Sequence, residues 1–265
     1  MKPLTDWPLS QRRRVRGVLT DIDDTLTTGG ALTPAVLAAL SRCREAGLML
    51  VAVTGRPTYW AQPLLRLCGF DAVIAENGAS AFWLDEHDRQ QCWWYAEASV
   101  RLAQRQALEA FAQQLSARFP QVVLADDAPQ RIGDLAFDIG ENRPRLTAVE
   151  VEEIVAFIRS HGLFALASSI HVHASLVELS KQRTSTRILQ DVFGIDDASA
   201  RETFVFVGDS GNDASMFAHY PQAIGVANVV SFIHQLPKRP AYVTSAARGA
   251  GFVEVINTIL EARET

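Results

Sequence analysis

Cysteine is scarce in this chain: Cys43, Cys68 and Cys92 are the three among 265 residues, and no two form a C-x-x-C pair. That excludes a disulfide framework and the common zinc or dithiol motifs, and it fits reduced thiols in a cytoplasmic protein. Long apolar runs are missing too. No stretch reaches the ~18 consecutive apolar residues of a membrane span, and the amino terminus has no apolar signal core. Positive charge is in deficit: the formal net charge is -5, which disfavours nucleic acid and membrane surfaces as partners. The one basic cluster, Arg12 to Arg14 with Arg16, reads as a solvated lead-in to the first strand.

What the chain has is apolar material, 48% of its residues, enough to bury a full core. Residues 18–20 form a short apolar run, and Thr33-Pro34 then supplies the cap and first turn of a helix. Val36, Leu37 and Leu40 share one face of that helix, and Gly47 stops it. Residues 48–53 are unbroken apolar, the pattern of a strand covered on both sides. A helix over 57–68 ends at Gly69, and a strand follows at 72–75. Strands separated by helices of this length imply right-handed crossovers and a parallel sheet.

After Gly78 the rhythm changes. A long helix is expected over 99–119, strand-like runs at 122–124, 135–139, 163–167, 170–173 and 176–179, and a helix opened by the capping box Thr147-x-x-Glu150. The parallel pattern returns at 204–207 and 224–226, and a helix over 252–260 closes the chain. The expected class is therefore α/β: a Rossmann-like parallel-sheet core from residues 1–79 and 178–265, interrupted by an α+β insert over 80–177. A cleft between the two follows.

Ligands of open α/β sheets gather at the carboxyl ends of the strands. Those ends carry Asp21-Ile22-Asp23-Asp24-Thr25, Thr54-Gly55-Arg56, Glu76-Asn77-Gly78 and Gly208-Asp209-Ser210-Gly211-Asn212-Asp213. Five aspartates, Asp21, Asp23, Asp24, Asp209 and Asp213, cannot all stay ionised in one confined site without a cation. Few protein ligands and a phosphate to complete the shell suit Mg²⁺ better than Ca²⁺.

With Lys181 between the third and fourth segments, these residues resemble the haloacid dehalogenase superfamily of phosphohydrolases. The pattern is D-x-D-x-T, an apolar strand ending in Thr, a Lys, and G-D-x-x-x-D. Thr-Gly-Arg, Glu-Asn-Gly-Ala and Gly-Asp-Ser-x-Asn-Asp-x-x-Met look like its Cof-type, sucrose-phosphatase-like branch, subfamily IIB, whose large α/β cap falls where residues 80–177 lie. The resemblance implies a Mg²⁺-dependent phosphatase acting on a small phosphorylated metabolite, a sugar phosphate foremost. Asp21 is then the nucleophile that forms an aspartyl-phosphate, Asp23 the acid and base, Thr54 a donor to the phosphoryl oxygens and Lys181 the charge neutraliser. Asp21, Asp23 through its carbonyl, Asp209 and Asp213 hold the metal. Thr54, Gly55, Arg56, Asn77, Lys181 and Asn212 bind substrate. A phosphomutase of the phosphomannomutase type and a non-catalytic sugar-phosphate-binding protein are the competing expectations.

Two positions depart from the pattern: Asp24 and Gln182 stand where the family usually has Gly. Asp24 either tightens metal binding or points to solvent. Arg56 either clamps phosphate or pairs with Glu76, and Asn77 and Asn212 serve either the ligand or their own loops. His171 and His173, two apart in a strand, share a face and are cleft contacts, a second metal site, or packed or surface residues. Trp93, Trp94 and Tyr95 offer a stacking surface or one ring beneath the cap sheet, and Gly29-Gly30 a flap or an ordinary loop.

Overall fold

Alternation of side chains decides what each core strand touches. Along Gly17–Thr20, Val18 turns to one side of the sheet and Leu19 to the other; Met49–Val53 and Phe204–Gly208 repeat the pattern. Helices Pro34–Glu45 and Arg248–Glu264 cover the first side, and Lys181–Asp191 and Ala214–His219 the second. Burial on both sides is why these runs carry no charged residue and only Thr20 as a polar side chain, and each large apolar side chain so buried contributes ~1.5–3 kcal/mol.

The structure, a computed structural model, describes residues 1–264. Nine strands form the main sheet, in the order Lys2–Pro3, Tyr242–Val243, Ile224–Gly225, Phe204–Gly208, Gly17–Thr20, Met49–Val53, Ala72–Ala75, Ser80–Leu84 and Gln90–Trp94. Neighbours run parallel as far as Ala72–Ala75, and the last two strands are antiparallel. The expected insert boundary at Ser80 therefore shifts: residues 80–94 still belong to the main sheet. Glu76, Asn77 and Gly78, all left-handed with φ of 48°, 55° and 105°, reverse the chain tightly enough for Ser80 to pair with Ala75. Trp93 and Trp94 consequently pack on opposite sides of the main sheet, not beneath a cap sheet.

A second sheet of four strands lies beyond this edge, ordered Phe164–Ala167, His171–Ser175, Leu135–Asp138, Val123–Leu124 and antiparallel throughout. One face sends Leu135, Phe137, Val172 and Ala174 into a separate core with helices Ala98–Arg118 and Ala148–Ser160. By alternation His171 and His173 face the other way. Residues 176–179, expected as strand, are irregular: the Ser175 hydroxyl donates to the Val177 carbonyl and turns the chain towards Ser180. Gly29 and Gly30, with φ of 59° and 77°, form the two-residue turn between Thr27–Thr28 and Ala31–Leu32, so the segment read as a flap or an ordinary loop is a tight hairpin. Among the described residues no helix is long and apolar enough to cross a membrane.

Candidate active site

From Gly17–Thr20 the chain crosses to Met49–Val53 on one side, while Phe204–Gly208 returns on the other. Such a reversal of strand order opens a crevice at the carboxyl ends. Asp21 and Asp209 are the first residues beyond the two central strands, and the Asp21 amide donates to the Val207 carbonyl at 2.9 Å. Gly208 leaves room for Asp213 to fold back, since a Cβ there would lie 2.4 Å from Asp213 Oδ2. That oxygen accepts the amides of Asp209 and Ser210 at 3.0 and 3.3 Å.

Lys181 opens the helix Lys181–Asp191, whose cap is the Ser180 hydroxyl accepting from the Arg183 amide. Gly78 lets this helix end approach, because a Cβ on it would meet the Ser180 carbonyl at 2.4 Å. The fully buried Nζ of Lys181 then donates to Asp21 Oδ1 at 2.6 Å and to Asp213 Oδ1 at 2.7 Å. Carboxylate oxygens of Asp21, Asp209 and Asp213 all lie within 4.8 Å of one another.

Three carboxylates face one ammonium, and burial makes that imbalance expensive. Burial pushes Asp21 up to about 8; Lys181 pulls against it, while Asp213 and Asp23 push further. Asp209 is driven well above its ordinary value by burial, then by Asp21, Asp213 and Asp24. The Thr25 hydroxyl and the Asn228 amide hold its two oxygens at 3.4 and 2.8 Å. An oxygen-only donor set with surplus negative charge fits a hard divalent cation.

Asp23 turns elsewhere. Arg56 donates to it from Nε to Oδ2 and from Nη2 to Oδ1, both at 2.8 Å, and the same Nη2 lies 2.6 Å from Glu141 of the second sheet's lobe. Arg56 thus pairs with Asp23 and Glu141 rather than Glu76, which instead accepts the amides of Ile132 and Gly133 at 2.8 and 2.6 Å. Thr54 is fully buried, and its hydroxyl oxygen accepts the Arg56 amide. Asn212 donates to Asn77 at 3.0 Å and Asn77 to Asp134 at 3.3 Å, so both asparagines join separate segments rather than only their own loops. At Gly55 a Cβ would stand 3.3 Å from both Asn77 Oδ1 and His173 Nε2, and the glycine admits both. Asp24 has φ 55°, a reason for glycine at this position, and its carboxylate pairs with Arg248 at 2.9 Å. It belongs neither to the metal-type cluster nor to open solvent. Gln182 donates to Thr186 on its own helix, away from these groups.

Several residues at the cleft carried no motif. His171 Nε2 meets Glu141 at 2.8 Å and His173 Nδ1 meets Asp134 at 2.9 Å. Arg131, buried, spans Asp127, Asp134 and the Gly55 carbonyl. The spacing Asp127, Arg131, Asp134 is a four-then-three charge pattern visible in the sequence. Among the described residues the three-ligand group is Asp21, Asp209 and Asp213, and the two histidines, outside it, line the cleft as hydrogen-bonded residues.

Residues 18–117 match the family model described as haloacid dehalogenase-like hydrolase. The phosphoglycolate phosphatase of Methanospirillum hungatei is 25% identical over 244 residues, 91% of this chain and 95% of that protein. That of Haloarcula marismortui is 29% identical over 241 residues, 90% and 95% of the two chains. Among solved structures, a Thermoplasma acidophilum protein superposes with a TM-score of 0.70 at 16% identity, over 93% of this chain and 98% of that one. The sucrose-phosphatase of Synechocystis sp. superposes with a TM-score of 0.63 at 17% identity, over 93% and 98%.

Proposed function

We propose that the chain is a haloacid dehalogenase-like hydrolase, a Mg²⁺-dependent phosphatase that cleaves a small phosphate monoester through an aspartyl-phosphate on Asp21. One observation carries this reading: the Lys181 ammonium sits 2.6 Å from Asp21 inside a buried cluster with Asp209 and Asp213. An Asp21 oxygen attacks phosphorus and the bond to the ester oxygen breaks, with Asp23 giving the leaving oxygen its proton. Water then attacks the phosphoryl group, Asp23 takes back a proton, and phosphate leaves with Asp21 restored. Lys181 offsets charge on nucleophile and phosphate; the Thr54 hydroxyl and the Gly55 turn meet the phosphoryl oxygens. Arg56, held between Asp23 and Glu141, orients the acid, while Asn77 and Asn212 line the substrate side.

Asp21, the Asp23 carbonyl and Asp209 hold the cation, and Asp213 braces them from behind with both oxygens engaged. Mg²⁺ bound there lowers the cost of ionising Asp21 and Asp209 and draws charge from the phosphoryl group. The lobe of the second sheet, within residues 95–177, acts as the cap that sets substrate choice, and a sugar phosphate is the leading substrate class. The phosphoglycolate phosphatases, alike over nine-tenths of the chain, favour a second reading in which the ester carries a carboxylate. The three free cysteines fit action in the cytoplasm.

The test is phosphate release from p-nitrophenyl phosphate and a panel of phosphorylated metabolites, with Mg²⁺ and with EDTA. Release that needs Mg²⁺ and returns on its re-addition is expected. A hexose phosphate isomerised without phosphate release points to a mutase, and tight binding without turnover to a binding protein; either result overturns the proposal.

A further inference from the structure

The cap face above the site carries groups that the phosphatase chemistry leaves unused. His173 is 3% exposed, and its Nδ1 is fixed by Asp134 Oδ2 at 2.9 Å. Asp134 also accepts from Arg131 Nη1 at 2.9 Å and Asn77 Nδ2 at 3.3 Å. Burial pushes the Asp134 carboxyl up, but Arg131 and His173 together hold it well below the usual carboxylate range. An ionised carboxylate only accepts, so the hydrogen of a neutral His173 ring sits on Nδ1 and the lone pair on Nε2. Burial also keeps the ring on the neutral side, against the pull of Asp134. Nε2 itself is buried and has no partner, and neither has the Ser169 hydroxyl. Both residues line one small cavity with Asp21, Asp23, Gly55 and Asn212.

Resting on the phosphatase reading, we infer that His173 is a specificity-determining residue whose Nε2 accepts a hydrogen bond from a hydroxyl of the leaving group. A buried acceptor without a partner carries a desolvation cost that a hydroxyl donor removes and an alkyl chain does not. A carboxylate meets the lone pair with repulsion. The enzyme therefore prefers esters of small polyols or sugars to phosphoglycolate, and the Ser169 hydroxyl supplies a second polar contact beside the first.

Three probe esters separate these cases: glycerol 3-phosphate, n-propyl phosphate, which lacks the hydroxyls, and phosphoglycolate. With Mg²⁺, wild type is expected to favour glycerol 3-phosphate over n-propyl phosphate by about tenfold or more in kcat/KM. His173→Leu brings that ratio to within about twofold of unity, and His173→Gln, which keeps an acceptor, restores part of it. A merely structural His173 lowers all three rates together and leaves the ratio alone. An unchanged ratio in His173→Leu, no preference in wild type, a preference for phosphoglycolate, or turnover of p-nitrophenyl phosphate with neither alkyl ester hydrolysed each overturns the inference. Failure to release phosphate from any ester, p-nitrophenyl phosphate included, overturns the phosphatase reading instead. If His173→Leu melts at the assay temperature, the wild-type ratio and His173→Gln decide.

Discussion

Two buried charge clusters face each other across the cleft, and they are balanced differently. In the core, Lys181 meets Asp21 and Asp213 with Asp209 alongside, three carboxylates to one ammonium. On the cap side, Arg131 spends Nε and Nη2 on Asp127 and Nη1 on Asp134 and the Gly55 carbonyl, so that its planar fork is matched almost atom for atom. The first cluster has two carboxylates more than its one ammonium, the second one carboxylate more than its one guanidinium, with every arm of that guanidinium engaged. The larger unmet negative charge suits a site proposed to receive a cation and a phosphate, whereas the fully engaged fork of Arg131 holds its neighbouring side chains still.

The largest expected effect breaks the core cluster. Asp21→Asn lowers p-nitrophenyl phosphate turnover by at least about 10⁴-fold, the order seen when a nucleophile is removed. Its stability moves the other way. A carboxyl raised to about 8 in the fold contributes stability at acid pH that is lost as pH rises through that value. Without Mg²⁺ at pH 8 or above, Asp21→Asn therefore melts higher than wild type, as thermal unfolding will record. Arg131→Leu is the mirror image: it strands two buried carboxylates, costs about 3–5 kcal/mol and lowers the melting temperature by roughly 10 °C.

A smaller effect sharpens the boundary between the clusters. Glu76 is raised to about 7 by burial and by Asp134, with Arg131 and the Gly133 and Ile132 amides opposing. The stability it lends below its unfolded value is lost as pH climbs towards 7. Glu76→Gln keeps an acceptor for both amides, so its melting temperature is expected to be flatter than wild type between pH 5 and 8. Smallest is Arg248→Ala. The Arg248 pair with Asp24 is partly exposed and worth at most about 1 kcal/mol. Freeing the Asp24 charge near Asp209 tightens Mg²⁺ binding by about twofold, measured by titrating activity or melting temperature with the metal.

The core cluster was legible because each member stands beside a strand or helix end that the apolar pattern marks. Asp21 and Asp209 follow strands, and Lys181 opens a helix. Partners across space were not legible in the same way. Arg56 was open between phosphate and Glu76, but Glu141, some 85 positions along the chain from it, took the pairing, and no periodicity encodes which loops of the two lobes meet. The start of the insert was not legible for a local reason: three left-handed residues in succession fold residues 80–94 back onto the main sheet as a hairpin, and Glu76 is not a residue that announces such a turn. Asp24 shows the converse. Its departure from glycine is visible in sequence, while its ion pair with Arg248 depends on where the last helix begins.

The Glu76, Asn77 and Arg56 contacts to the opposing lobe have a kinetic side. Ile132 and Gly133 amides, Asp134 and Glu141 all sit on the cap, and each is fastened to a loop at the end of a core strand. Asp21 beneath them is 3% exposed. Were substrate to enter by parting the two lobes, these contacts would have to break in each cycle, and how often they do so would bound turnover alongside bond breaking.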